Sequence, residues 1–343
     1  MALHLLEGFD GLGDIEDRYF YTNSSAIEVT ADLARTGLQC ARIAGSTSSY
    51  LWFPLSVACA EVYVGFGFYM DQYPPSDSYA VLQFMAGVVA GSCLGVTSAG
   101  QLWVGANTSI EDSGANVLLE DTWYYIEIKM IKSNSSSEGD VIVLVNGVEW
   151  INCAAGKDFS YSSGALVTDA IRFRAYGASY DRYVDDLYVC DETGPAPHNT
   201  FLGQVKIATL YPDGNGNSSN FTGSDADSTD NYLHVDEATP SDVDYVESDN
   251  PTDVDLFTYD DLPETPDSVL GVKLCSRVLT DEAGHRLGCN VSRINSTNYD
   301  GDDFGAGVEP TMAETLLALN PDDAAAWEEA DINGIECGVK VQA

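Results

Sequence analysis

Apolar and polar residues alternate with a period of two along much of the chain, and that period predicts strands. The pattern is sharpest over residues 117–150. There Tyr124, Ile126, Ile128 and Met130 alternate with Tyr125, Glu127 and Lys129, as in a strand with one buried face. Residues 141–145 form a second apolar run that leads into Asn146-Gly147, a dipeptide suited to a tight turn with positive φ. A polar loop rich in Ser, Asn and Gly separates the two runs. The stretch predicts two antiparallel strands.

Further short strands are predicted over 4–9, 26–30, 40–44, 57–69, 79–86, 92–96, 102–104, 170–175 and 182–190, separated by Gly, Asn, Asp and Ser clusters. No helical period of ten or more residues interrupts them. The first half therefore reads as a two-sheet antiparallel jelly-roll sandwich, residues 1–195. Two prolines and a glycine in 191–200 mark a boundary. Beyond it, 199–343 reads as a smaller β-rich domain, with strands over 202–210, 232–235, 255–259, 269–278, 288–293 and 335–341. Residues 311–319 and 322–330 read as short helices, the second opened by Pro321-Asp322. The predicted class is all-β with one or two short helices.

Charge narrows the partners. The chain carries 54 Asp and Glu against 15 Lys and Arg, a formal net charge of −39. Such a surface repels nucleic acid and anionic membranes, so neither is an expected partner. No apolar run approaches the ~18–20 residues of a membrane span. The N-terminus has no basic segment before its apolar residues, so no secretory signal is predicted and synthesis in a cytoplasm is expected. Eight cysteines are scattered without C-x-x-C or zinc-type spacing, which favours buried thiols over disulfides.

The first domain resembles the concanavalin A-like, laminin-G-type sandwich. The likeness rests on Leu5-Leu6-Glu7-Gly8-Phe9-Asp10, Trp123-Tyr124-Tyr125-Ile126-Glu127, Val143-Leu144-Val145-Asn146-Gly147 and Tyr183-Val184-Asp185-Asp186-Leu187-Tyr188-Val189. The whole chain is similar to virion proteins of tailed bacteriophages that begin with such a domain. Phe201-Leu202-Gly203-Gln204-Val205, Pro212-Asp213-Gly214-Asn215-Gly216, Val235-Asp236-Glu237 and residues 327–340 carry that second likeness. It implies a non-enzymatic structural component of the particle, as capsid decoration, neck or tail appendage. Its partners would be other virion proteins and copies of itself. The alternatives are a carbohydrate-binding module for host-surface glycans and, third, a glycan hydrolase.

Candidate chemistry is sparse. A glycosidase needs two carboxyl groups facing each other across the scissile bond. The strand around Glu127 offers one acid followed by Lys129, so the chain is expected not to be an enzyme. Asp185 and Asp186 are the candidate metal ligands, for Ca²⁺, although strand alternation would send them to opposite faces. Asp213-Gly-Asn-Gly-Asn217 resembles the start of a calcium loop but lacks the later glycine and glutamate, and an exposed Asx-rich turn is expected. Tyr73, Tyr176, Tyr180 and Tyr183 lie in or beside polar turns and are the candidate exposed ligand or interface residues. The four histidines are far apart in sequence and suggest no catalytic arrangement.

Overall fold

The computed structural model describes residues 3–13, 15, 20–22, 26–45, 50–77, 79–106, 109–133, 139–157, 159, 166–174, 180–280 and 286–342. The chain forms two compact units: residues 1–9 with 14–207, and residues 10–13 with 208–343.

The strands of the first unit are β1 (Leu3–Glu7), β2 (Phe20–Thr22), β3 (Ile27–Thr30), β4 (Cys40–Ile43), β5 (Tyr50–Cys59), β6 (Glu61–Met70), β7 (Tyr79–Ala86) and β8 (Val89–Val96). They continue as β9 (Gln101–Ala106), β10 (Ser109–Val117), β11 (Tyr124–Ile131), β12 (Gly139–Val145), β13 (Val148–Lys157), β14 (Thr168–Arg174) and β15 (Arg182–Asp191). One sheet runs β13-β12-β11-β6-β15-β4-β3, with β1 also paired to β15; the other runs β10-β9-β8-β7-β14-β5-β2. All pairings are antiparallel, and this is the expected all-β sandwich. The sheets meet where Phe66 of β6 lies edge-on to Phe173 of β14 at 4.9 Å, and within the second sheet Phe173 lies edge-on to Phe53 of β5 at 6.1 Å. These rings are fully buried and contribute about 1.5–3 kcal/mol each by leaving water.

Asn146 and Gly147 turn β12 into β13 with φ of 51° and 78°, as their sequence requires. The single strand expected over 57–69 is two, β5 and β6, folded at the exposed Ala60.

In the second unit the strands are β16 (Pro212–Ser219), β17 (Thr222–Gly223), β18 (Val246–Glu247), β19 (Val254–Tyr259), β20 (Val272–Val278), β21 (Arg286–Ile294), β22 (Thr297–Ala306), β23 (Thr311–Leu317) and β24 (Glu336–Val341). The main sheet runs β16-β19-β24-β21-β22, flanked by the pairs β17-β18 and β20-β23. A core of Ile294, Trp327, Ile332, Ile335 and Cys337 lies beneath it.

Several expectations need correction. Residues 311–317 are β23: the helix-forming Ala, Glu and Leu are overridden by seven-residue pairing with β20. Of 322–330 only Glu329 and Ala330 are helical, in the single turn α1 (Glu329–Ile332), which a capping box between Glu328 and Asp331 opens. Residues 232–234 belong to a 3₁₀ turn, Asn231–His234, that Val235 caps, rather than to a strand. The calcium-loop look-alike lies in β16, where Asp213 Oδ1 accepts the Thr258 hydroxyl at 2.7 Å and a Cβ on Gly216 would fall 2.8 Å from Leu256 O. Glycine lets the neighbouring backbone approach, so that segment is ladder and not turn.

Residues 202–210 form no strand, because side chains take the place of a ladder. The Tyr188 hydroxyl accepts Leu202 N–H at 3.1 Å, Glu127 Oε1 accepts Gly203 N–H at 2.9 Å, and Asp186 Oδ1 accepts Ile207 N–H at 2.7 Å. Residues 202–207 therefore form a strap over the outer face of the first sheet.

Candidate functional site

The strap decides which face of the sandwich is closed. On the outer side of β11 and β15, Glu127 is buried and accepts the Tyr188 hydroxyl at 2.6 Å as well as Gly203 N–H. Gly65 makes room for the Tyr188 ring; a Cβ there would come within 2.0 Å of it. Burial raises the Glu127 carboxyl above its ordinary value, against the lowering effect of those donors. Glu127 is thus a clasp for the strap.

Asp185 and Asp186 belong to the same closed face. A register shift between Asp185 and Tyr188, with Asp186 at φ 49°, breaks the alternation that would have separated them. Asp185 Oδ2 accepts the backbone N–H of Arg35 at 2.8 Å and of Thr36 at 3.2 Å. Asp186 pairs with the Arg35 guanidinium and accepts the Thr36 hydroxyl at 2.5 Å. Burial, then the neighbouring Asp186, pushes the Asp185 carboxyl well above its ordinary value. Protein donors hold these oxygens, and Asp185 and Asp186 join no metal-binding group among the described residues.

The tyrosine expectation is corrected for Tyr180 and Tyr183, which are buried. Tyr183 packs edge-on to Tyr69 at 5.4 Å in a cluster with Cys40, Leu33 and Trp123. The Tyr180 ring lies under the buried Arg182 guanidinium, 4.3 Å from its centroid. Tyr73 is half-buried, its hydroxyl donating to Leu118 O at 3.0 Å. Tyr176 lies outside the described residues.

The other sheet presents a different surface. On β5, Leu51 and Phe53 point into the core while Tyr50 and Trp52 stay half-buried on the outer face. On β14, Ile171 and Phe173 point in while Arg172 and Arg174 point out. Register places Arg172 opposite both Trp52 and Gln83, and Arg174 opposite Tyr50. The Arg172 guanidinium donates to Gln83 Oε1 through Nε at 2.9 Å and Nη2 at 2.5 Å. It lies 4.8 Å from the Tyr50 ring centre and 5.7 Å from that of Trp52.

Stacked rings and a buried amide oxygen fix the guanidinium in one orientation at low entropic cost. Such a row offers two π faces and a fixed cation, suited to the apolar face of a sugar ring and to its hydroxyl or carboxylate oxygens. In Tyr50-Leu51-Trp52-Phe53 only the alternate residues Leu51 and Phe53 are core. The missed signal was the period-two pattern of that segment, matched by Ile171-Arg172-Phe173-Arg174.

Tertiary contacts also assemble histidine clusters that sequence distance concealed. His4 Nε2 lies 2.8 Å from Asp191 Oδ2 and 3.6 Å from Cys59 Sγ, and His4 Nδ1 lies 3.2 Å from Ser56 Oγ. Burial, reinforced by Asp191, pushes the Cys59 thiol up to about 12, so it is no activated nucleophile. In the second unit the half-buried His234 pairs with Asp244, whose hydrogen bond raises the imidazole above its ordinary value. None of the eight cysteines forms a disulfide; Cys275 is exposed and the other seven are buried.

No protein-family model and no curated protein matches the chain. Solved structures similar to it include the cellulose-induced protein Cip1, at TM-score 0.40 and 12% identity over 50% of this chain and 91% of that one. Alginate lyase Aly36B is similar at TM-score 0.37 and 13% identity, over 51% and 86% of the two chains. Trypanosoma rangeli sialidase is similar at TM-score 0.33 and 12% identity, over 48% and 27%. At such identities the likeness is one of fold. Because proteins described as a lyase and a sialidase stand among these neighbours, the expectation that the chain is not an enzyme is corrected and withdrawn.

Proposed function

We propose that the first unit contacts a glycan surface through the row Tyr50, Trp52, Arg172 and Gln83. The observation that carries this reading is the Arg172 guanidinium, held by Gln83 Oε1 and stacked beside two half-buried rings on the outer face of a sheet. A fixed cation beside two half-buried rings on an outer sheet face is suited to recognition. The test is retention on neutral and uronate-containing polysaccharides, with a glycan array alongside. Trp52→Ala with Arg172→Ala is expected to weaken retention at least tenfold while the far-ultraviolet circular dichroism stays that of the parent. Equal retention by parent and variant, or none by the parent, overturns the reading. Following reducing ends and unsaturated products in the same incubations reports any bond cleavage.

A second observation favours a place for the chain on a tailed-phage particle: its sequence likeness to virion proteins extends through the second unit. The residues that carry it there include framework residues, with Trp327 buried in the core and Cys337 to Lys340 in the central strand β24. In this reading the chain joins copies of itself and other virion proteins, and displays the glycan-contacting face outward. Multimers at micromolar concentration and co-purification with particles are expected. A stable monomer on size exclusion that binds no particles rejects it.

A further inference from the structure

From the convergence of three strands at one end of the sandwich, we propose that His4, Cys59 and Asp191 bind a divalent transition metal, Zn²⁺ in the first instance. His4 lies on β1, Cys59 ends β5 and Asp191 ends β15, so the site ties a strand of one sheet to two strands of the other. One ligand atom from each residue falls within 4.8 Å of the others. The His4 and Asp191 side chains are 1% and 5% exposed, and Cys59 is buried, so the donors are already withdrawn from water.

The distances suit the ion. Zinc bonds of about 2.0–2.2 Å to nitrogen and oxygen and about 2.3 Å to sulfur, at tetrahedral angles, set donors roughly 3.3–3.7 Å apart. Cys59 Sγ is 3.6 Å from His4 Nε2 and 3.8 Å from Asp191 Oδ2. The His4–Asp191 separation of 2.8 Å is a hydrogen bond, which opens by about half an ångström to admit the metal.

The supporting contacts already face the right way. His4 Nδ1 lies 3.2 Å from Ser56 Oγ, which accepts its proton once Nε2 ligates. Asp191 Oδ1 accepts the backbone N–H and the hydroxyl of Thr193, both at 2.7 Å, leaving Oδ2 for the metal. On binding, the Cys59 thiol proton passes to solvent, and the neutral imidazole keeps one proton, now on Nδ1. The exposed residues Ser56, Val57 and Ala58 border the cluster, and water takes the fourth position.

Co²⁺ added to the chelator-treated full chain tests this. One equivalent is expected to give a thiolate-to-cobalt absorption band with the visible bands of a tetrahedral ion. Cys59→Ser should abolish the thiolate band, and His4→Gln and Asp191→Asn should each weaken Zn²⁺ at least tenfold in competition with a chromophoric chelator. A band that survives in Cys59→Ser, or no band in the parent chain, overturns the proposal. If Cys59→Ser does not fold, X-ray absorption on the zinc-loaded parent decides. One sulfur at about 2.3 Å supports the site, and a shell of nitrogen and oxygen alone rejects it.

Discussion

Glu127 shows how far one residue's meaning depends on its neighbours. By its strand position it is the acid that a glycan-cleaving sandwich would need to pair with another. Its surroundings make it the acceptor for the Tyr188 hydroxyl and Gly203 N–H under a strap that closes the face. Its raised carboxyl pKa carries a pH signature. The folded-state value lies above the unfolded one, so its stabilising contribution is complete below the unfolded pKa. That contribution is lost as pH rises through the folded pKa. Glu127→Gln keeps an acceptor oxygen for both donors, so it should match or exceed the parent's stability at neutral pH and lose that dependence. Glu127→Ala leaves two buried donors unpaired and should cost about 1–3 kcal/mol. Urea unfolding of the three proteins between mildly acidic and neutral pH checks both outcomes.

At the scale of elements, the joins between strands carry as much information as the strands. Lys132 follows β11, is buried, and donates from Nζ to Met85 O at 3.2 Å and Val167 O at 2.9 Å. It thereby ties one sheet to the ends of β7 and the start of β14 in the other. Burial pushes its ammonium down to about 8 from an ordinary 10.5. Between those values the unfolded chain binds more protons, so this group makes stability rise with pH across the window. The rise is on the order of 3 kcal/mol at most. Lys132→Met should flatten it, and chemical unfolding from pH 8 upward measures the difference. A parent curve with no relative rise against the variant rejects the assignment. β23 gives the complementary lesson, since its local composition asks for helix and its partner β20 imposes strand.

Over the whole molecule the dominant quantity is charge. A formal −39 makes the folded chain repel itself, and salt screens that repulsion. Raising salt from about 0.01 to 1 M shortens the screening length from roughly 30 to 3 Å, and Tm should climb by several degrees over that range. A flat Tm in calorimetry would mean that the acids are already compensated by local pairing. Period-two alternation was enough by itself to predict an all-β chain with a two-sheet sandwich, because strand faces are a local property of consecutive residues. Composition likewise argued against nucleic acid as a partner, since net charge needs no fold. The tertiary structure decided what local pattern cannot carry. It closed one face with a strap, put Asp185 and Asp186 on the same loop through one bulge, and buried Tyr180 and Tyr183. It also aligned Arg172 with Trp52 and Gln83, and brought His4, Cys59 and Asp191 within reach of one ion. Each of these depends on register and on contacts between residues distant in sequence, which only the folded chain brings together.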